Sequence, residues 1–188
     1  MDKLKITAIL GSLRKDSFNK RLLNYIIDKS NDSLNIEIAN INLPLFNEDI
    51  ASTPDQNTLD FRKAVKDADG ILFVTPEYNY SIPGVLKNAI DWGTNPEMEN
   101  VFLRKPIGIA GTASGMSGTS RSQLHLRQVC VFLNAIVMPK PEVLITYEKE
   151  KFDESGALTD TQSKEVVNNF IESFTKWVDA INKIKDSL

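Results

Sequence analysis

The sequence predicts an α/β protein in which one parallel sheet lies between two helical layers. Two observations predict it. Short, nearly continuous apolar runs, as expected of strands covered on both faces, alternate with stretches whose apolar residues recur every three or four positions. The alternation continues along the chain as βαβαβαβαβα, which calls for right-handed crossovers and helices on both faces.

The first run is Ile6-Thr7-Ala8-Ile9-Leu10, followed by Leu22, Leu23, Ile26 and Ile27 on one helical face. Asn35 to Ile41 comes next, with a polar residue between its first isoleucines, which suits a sheet edge. Phe61, Ala64, Val65 and Ala68 mark a second helix, and Gly70-Ile71-Leu72-Phe73-Val74 a second central strand. The third helix carries Val85, Leu86, Ala89 and Ile90; Pro83 opens it in a position that a first turn tolerates, and Gly93 closes it. Pro106-Ile107-Gly108-Ile109-Ala110 is the last central strand, and a fourth helix starts near Ser117 to Ser120. Val143-Leu144-Ile145 follows Pro139 and Pro141, which cannot donate to a ladder, and so belongs at the opposite edge. The fifth helix follows Thr159-Asp160-Thr161, with Thr159 and Gln162 spaced as a capping box, and keeps its period from Val166 to Ile181. With the second and fifth strands at the edges, the order is 2-1-3-4-5: a flavodoxin-like three-layer sandwich with a five-stranded parallel sheet. The connection from Asn42 to Asn57 exceeds the usual length of about 4 to 6 residues. It reads equally as a lid, a subunit contact or a plain surface loop.

Composition narrows the function. At 188 residues, against roughly 150 per domain, the chain reads as a single domain over 1–188. Lys and Arg number 22 against 25 Asp and Glu, a net charge of −3, which argues against nucleic acid or an anionic membrane as partner. One cysteine, Cys130, excludes an internal disulfide, and with one histidine, His125, it cannot build a thiolate and imidazole zinc site, so no metal is expected. No apolar run approaches the ~20 residues that cross a bilayer. The first residues run directly into a strand and lack the features of a signal peptide, so a cytoplasmic location is expected and the triplets at Asn31 and Asn79 read as chance glycosylation matches.

In an open parallel sheet, ligands gather beyond the carboxyl ends of the strands. Three polar segments fall there. Gly11 to Asn19 offers the hydroxyls of Ser12 and Ser17, the Asn19 amide, Arg14 as counter-charge and free N–H groups at a helix start, the chemistry of a terminal phosphate site. The competing reading is that Ser17 or Asp16 caps the helix while Arg14 points into water. Pro76 to Gly84 holds two tyrosines, two prolines and a glycine, enough to build a stiff, flat wall for a planar heteroaromatic ring. Gly111 to Gly118 is glycine-rich and precedes a helix, so its amides can approach a ligand closely. The chain has neither a phosphate-binding Gly-x-x-x-x-Gly-Lys loop nor Gly-x-Gly-x-x-Gly after its first strand, and no Gly-x-Ser-x-Gly elbow. His125 reads as a packing or subunit-contact residue.

Gly11-Ser12-Leu13-Arg14-x-x-Ser17-x-Asn19 together with Pro76-Glu77-Tyr78-Asn79-x-Ser81-x-Pro83-Gly84-x-Leu86-Lys87-Asn88-Ala89-Ile90-Asp91-Trp92 resembles the NADPH-dependent FMN reductase family, which includes quinone, azo-dye and chromate reductases. The resemblance implies that Ser12, Arg14, Ser17 and Asn19 hold the FMN phosphate, that Pro76, Glu77, Tyr78 and Asn79 line the isoalloxazine, and that Ser114 and Gly115 meet its pyrimidine edge. It also implies ping-pong hydride transfer from NADPH or NADH through FMN to a small-molecule electron acceptor, without a catalytic acid or base from the protein. A homodimer or homotetramer is implied as well, with the stretch from Arg121 to Gln128 on the shared face. The alternative is a flavodoxin-type electron carrier without its own NAD(P)H oxidase activity.

Overall fold

In the computed structural model, which describes residues 3–147 and 149–185, strand β1 (Leu4–Leu10) lies inside the sheet, next to one edge. Helix α1 (Phe18–Ser30) follows it, then β2 (Leu34–Ile38), α2 (Gln56–Lys66), β3 (Gly70–Val74), α3 (Gly84–Gly93), β4 (Pro106–Ala113) and α4 (Ser120–Phe132). The chain ends with β5 (Ile136–Val137), β6 (Val143–Thr146) and α5 (Thr161–Lys185). Among the described residues these strands all pair in parallel, in the order β2-β1-β3-β4-β5, with β6 also against β4. The expected order therefore holds, with six strands in place of five among the described residues.

The extra strand has a physical cause. β5 pairs with Pro106 and Ile107 at the start of β4, and β6 with Ala110 to Ala113 at its end. Between them lie Pro139 and Pro141, which lack the N–H a continuous ladder needs. One edge position is thus filled by two short pieces.

The period of two sorts side chains between two cores. Ile6, Ala8, Leu72, Val74 and Ala110 face α1 and α5, where Leu22, Leu23, Ile26, Phe170, Phe174 and Val178 are buried. Ile9, Ile71, Phe73, Ile107 and Ile109 face α2, α3 and α4. Each such aliphatic or aromatic side chain contributes about 1.5–3 kcal/mol when fully buried. Gly108 lets α5 come close, because a Cβ there would stand 2.7 Å from the Phe174 ring.

Caps differ in detail from the sequence expectation. Asp55 caps α2 by accepting from the Thr58 N–H at 2.9 Å. At α5 the cap is Asp160, accepting from Ser163 at 2.8 Å, while Thr159 instead donates its N–H to the Lys151 carbonyl. The long connection after β2 is a strap pinned along α3. The Asn88 amide accepts from the Phe46 N–H at 2.8 Å and donates to the Pro44 carbonyl at 3.0 Å, and the Trp92 indole donates to that same carbonyl at 2.8 Å. Leu45 stays exposed at its bend. No helix among the described residues is long and apolar enough to cross a membrane.

Candidate functional site at the β1 and β3 switch point

The crossovers after β1 and β3 leave the sheet in opposite directions, and a crevice opens between them. Gly11 donates to the Val74 carbonyl at 2.8 Å and Thr75 to the Ala110 carbonyl at 3.0 Å, so the ends of β1, β3 and β4 finish side by side. The crevice has a volume of about 190 Å³, and its lining includes Ser12, Arg14, Ser17, Asn19, Pro76, Glu77, Tyr78 and Ser114. The three segments singled out in the sequence thus meet at one place.

At the α1 end, Ser17 holds the cap position, yet its side chain makes no cap hydrogen bond. The first-turn N–H groups of α1 therefore lack a side-chain acceptor and carry the positive end of the helix dipole. The Ser12 hydroxyl accepts from the Arg14 N–H at 3.3 Å, folding the loop back on itself. The Arg14 guanidinium lies 5.1 Å from the Phe18 ring centroid and pairs with no carboxylate among the described residues. Asn19 is buried and already engaged. Its amide donates to the Thr112 carbonyl at 2.8 Å and accepts from the Thr112 N–H at 2.9 Å, bracing α1 against β4.

The opposite wall is the loop after β3. Tyr78 and Ser81 exchange backbone hydrogen bonds of 3.0 and 2.9 Å, with Asn79 at φ 50° and Tyr80 at φ 66° between them. Both central residues are left-handed, as a type I′ hairpin requires. Asn79 occupies the exposed tip of this turn and does not line the crevice. The Pro76 carbonyl accepts from the hydroxyls of Thr75 at 2.9 Å and Ser122 at 3.0 Å. Glu77 turns its carboxylate onto the start of α4, accepting from the N–H groups of Arg121 at 3.0 Å and Ser122 at 3.1 Å and from the Arg121 guanidinium at 3.0 Å. Burial opposes its ionisation, but the Ser122 N–H and the Arg121 side chain and N–H outweigh it and hold the carboxyl below its ordinary range.

Beyond β4, Ser114 lines the crevice, whereas Gly115 stands outside it with open space around its Cα. His125 is exposed, not packed, and its Nδ1 lies 3.0 Å from the Ser81 hydroxyl. Sequence reasoning did not single out Phe18, Thr112 or Ala113, which also line the crevice. It also missed Arg121 and Ser122 as the partners of Glu77. Phe18 and Thr112 stood inside the segments named above; the pairing across 44 residues from Glu77 to Arg121 left no local signal.

These residues fit a phosphorylated ring compound. The Thr112 hydroxyl is buried, in a residue that lines the crevice, and has no hydrogen-bond partner among the described residues, a costly arrangement unless a ligand supplies one. Beside it stand two serine hydroxyls, a guanidinium and an uncapped helix start. Among the described residues no three His, Cys, Asp or Glu side chains gather in a way that could hold a metal ion.

A doubly wound parallel sheet with an anion-ready helix start at its switch point defines a mononucleotide-binding protein of the flavodoxin-like class. The model of the NADPH-dependent FMN reductase family matches residues 4–150, and the chain belongs to that family. It is 38% identical over 176 residues to a 2-hydroxy-1,4-benzoquinone reductase of a Burkholderia species, covering 93% of this chain and 96% of that one. Over 179 residues it is 41% identical to an NAD(P)H-dependent FMN reductase of Pseudomonas aeruginosa, covering 94% and 96%. The solved structure of the NAD(P)H:(acceptor) oxidoreductase FerB of Paracoccus denitrificans matches with a TM-score of 0.89 and 30% identity, over 94% of this chain and 98% of that one. The chain is an FMN-dependent NAD(P)H oxidoreductase, and a flavodoxin-type carrier is not favoured.

Proposed function

We propose that this protein passes hydride equivalents from NADPH or NADH to quinones, azo compounds or similar small acceptors, as one FMN-binding domain spanning 1–188. Ser12, Arg14, Ser17 and the start of α1 hold the FMN phosphate, and Asn19 fixes that helix start on β4. Pro76, Glu77, Tyr78 and the Asn79 turn form the isoalloxazine wall, and the segment at Ser114 and Gly115 meets the pyrimidine edge. The observation that carries this placement is the uncapped start of α1 in the same crevice as Thr112, whose buried hydroxyl has no partner among the described residues.

Bound there, FMN supplies the two-electron chemistry. The protein's share is position and charge. Arg14 and the α1 N–H groups neutralise the phosphate; the β3 loop presents one flat side and leaves the other open to nicotinamide and then to acceptor. Glu77 is already engaged at α4, and the reading assigns the protein no acid or base toward substrate. The quinone class of acceptor is supported by the 2-hydroxy-1,4-benzoquinone reductase relative. A cytoplasmic homodimer or homotetramer completes the proposal.

The purified protein should be yellow and should oxidise NADPH or NADH when a quinone is added. Arg14→Ala should weaken FMN binding by the roughly 1.5–3 kcal/mol of a hydrogen bond to a charged group, about 10- to 150-fold. A colourless protein that takes up no FMN on reconstitution would overturn the reading, and unchanged affinity in the variant would remove Arg14 from the site.

A further inference from the structure

We propose that Arg121 is the positioning residue of this pocket: one guanidinium locks the loop that forms the ring wall to the loop that forms the pyrimidine edge. The inference rests on the FMN placement given above and assigns the residue that shapes the slot.

Three contacts converge on this side chain. Nη1 donates to Glu77 Oε1 and to the Ser117 hydroxyl, each at 3.0 Å, so a single nitrogen joins the two loops. The guanidinium carbon stands 4.0 Å from the centroid of the Tyr80 ring, covering the left-handed turn at its tip. A planar cation can direct hydrogen bonds in its plane and stack an aromatic ring on its face at once, which an ammonium cannot do.

The base of the β3 loop is already held to α4, where Pro76 and Glu77 accept from Ser122 and from the Arg121 N–H; the guanidinium adds the tip of that loop and the loop after β4. The Tyr78 and Ser81 bridge closes the β3 turn only onto itself; Arg121 on Tyr80 and His125 on Ser81 tie it to α4. On the other side, Met116 is 98% exposed and its carbonyl receives only a 3.5 Å bond from Thr146. A ligand that must fit between two segments binds better where their separation is fixed beforehand. Arg121 also balances the Glu77 carboxylate, which lines the crevice. Without the guanidinium only the N–H groups of Arg121 and Ser122 still balance that charge, and the more negative site opposes flavin reduction.

The side chain of Arg121 is 44% exposed, so truncating it opens no cavity in the core. Arg121→Ala should lower the thermal midpoint of the apoprotein by only about 2–4 °C, because Glu77 keeps the N–H groups of Arg121 and Ser122, while FMN binding weakens by about tenfold, the worth of one charge-assisted hydrogen bond. The flavin midpoint potential should become more negative, and chymotrypsin should cut the apoprotein at Tyr78 or Tyr80 several times faster. Arg121→Lys should restore the potential, because the charge returns, but neither the affinity nor the protection, because the fork and the stack do not. Wild-type affinity and cleavage rate in Arg121→Ala would overturn the clamp, as would full restoration of both by lysine. A wild-type chain that binds no FMN would instead overturn the functional reading, and the cleavage arm, read without flavin, would still decide the clamp.

Discussion

Replacing Asn19 tests how the crevice is held open. In a parallel ladder the N–H and C=O of one residue point to the same neighbouring strand. Ala110 gives its carbonyl to Thr75 on the β3 side, and two residues further Thr112 points the same way, where β3 has ended. The Asn19 amide fills that vacant ladder position with bonds of 2.8 and 2.9 Å. Asn19→Ala leaves a buried N–H and a buried C=O without partners, each costing about 1–3 kcal/mol. Water entering from the crevice recovers part of this, so a net loss of about 2–4 kcal/mol is expected, or roughly 5–15 °C in Tm for a chain of this size. Urea and thermal unfolding of the apoprotein at pH 7 measure it. Asn19→Asp separates stability from binding. Its carboxylate still accepts from the Thr112 N–H and suits the helix dipole, but faces the Thr112 carbonyl and the phosphate site with negative charge. It should therefore lose less stability than alanine and more FMN affinity. An alanine variant within about 0.5 kcal/mol of wild type, the scatter of ordinary surface changes, would show that Asn19 does not complete the ladder.

Three further outcomes follow from the same geometry. Gly111→Ala drives a Cβ into the Thr75 carbonyl and the Thr119 side chain, so a destabilisation of about 1–3 kcal/mol from overpacking is expected in urea melts, and an unchanged midpoint would mean the strands part freely. Glu77 has its pKa depressed in the folded protein, so its stabilisation is fully present above the ordinary carboxyl value of 4.5 and is lost as pH falls through the depressed value. The stability gap between wild type and Glu77→Gln should hold level from pH 8 to 5 and narrow only below that; a gap that closes near neutrality contradicts the assignment. The Cys130 thiol is fully buried and burial pushes it up to about 12, so Ellman's reagent at pH 8 should find no reactive thiol in the native chain and one after denaturation.

What could be read in advance divides along a physical line. The central strands were legible because burial on both faces forces continuous apolar runs, as in Gly70 to Val74. The split edge was half legible: Pro139 and Pro141 forbid a continuous ladder there, but whether the chain resumes pairing on the far side depends on the free edge of β4. The crevice was legible as chemistry, since hydroxyls, a guanidinium and a helix start have few other uses in one short loop. Partner choice was not. Asn19 carries a donor and an acceptor in one plane, equally suited to a phosphate and to a vacant ladder position, and only the end of β3 two residues short of Thr112 decides between them. Asn88 obeys the same rule at the strap, where its amide meets Pro44 and Phe46 across more than 40 residues of chain. Arg121 follows it again with Glu77. Each is a planar, multidentate side chain that reaches from a helix to a segment outside it. Such residues, found on the helices that follow predicted strands in this fold, are therefore better first candidates for holding segments in place than for touching ligand, and the Asn19→Asp and Arg121→Lys variants separate the two roles.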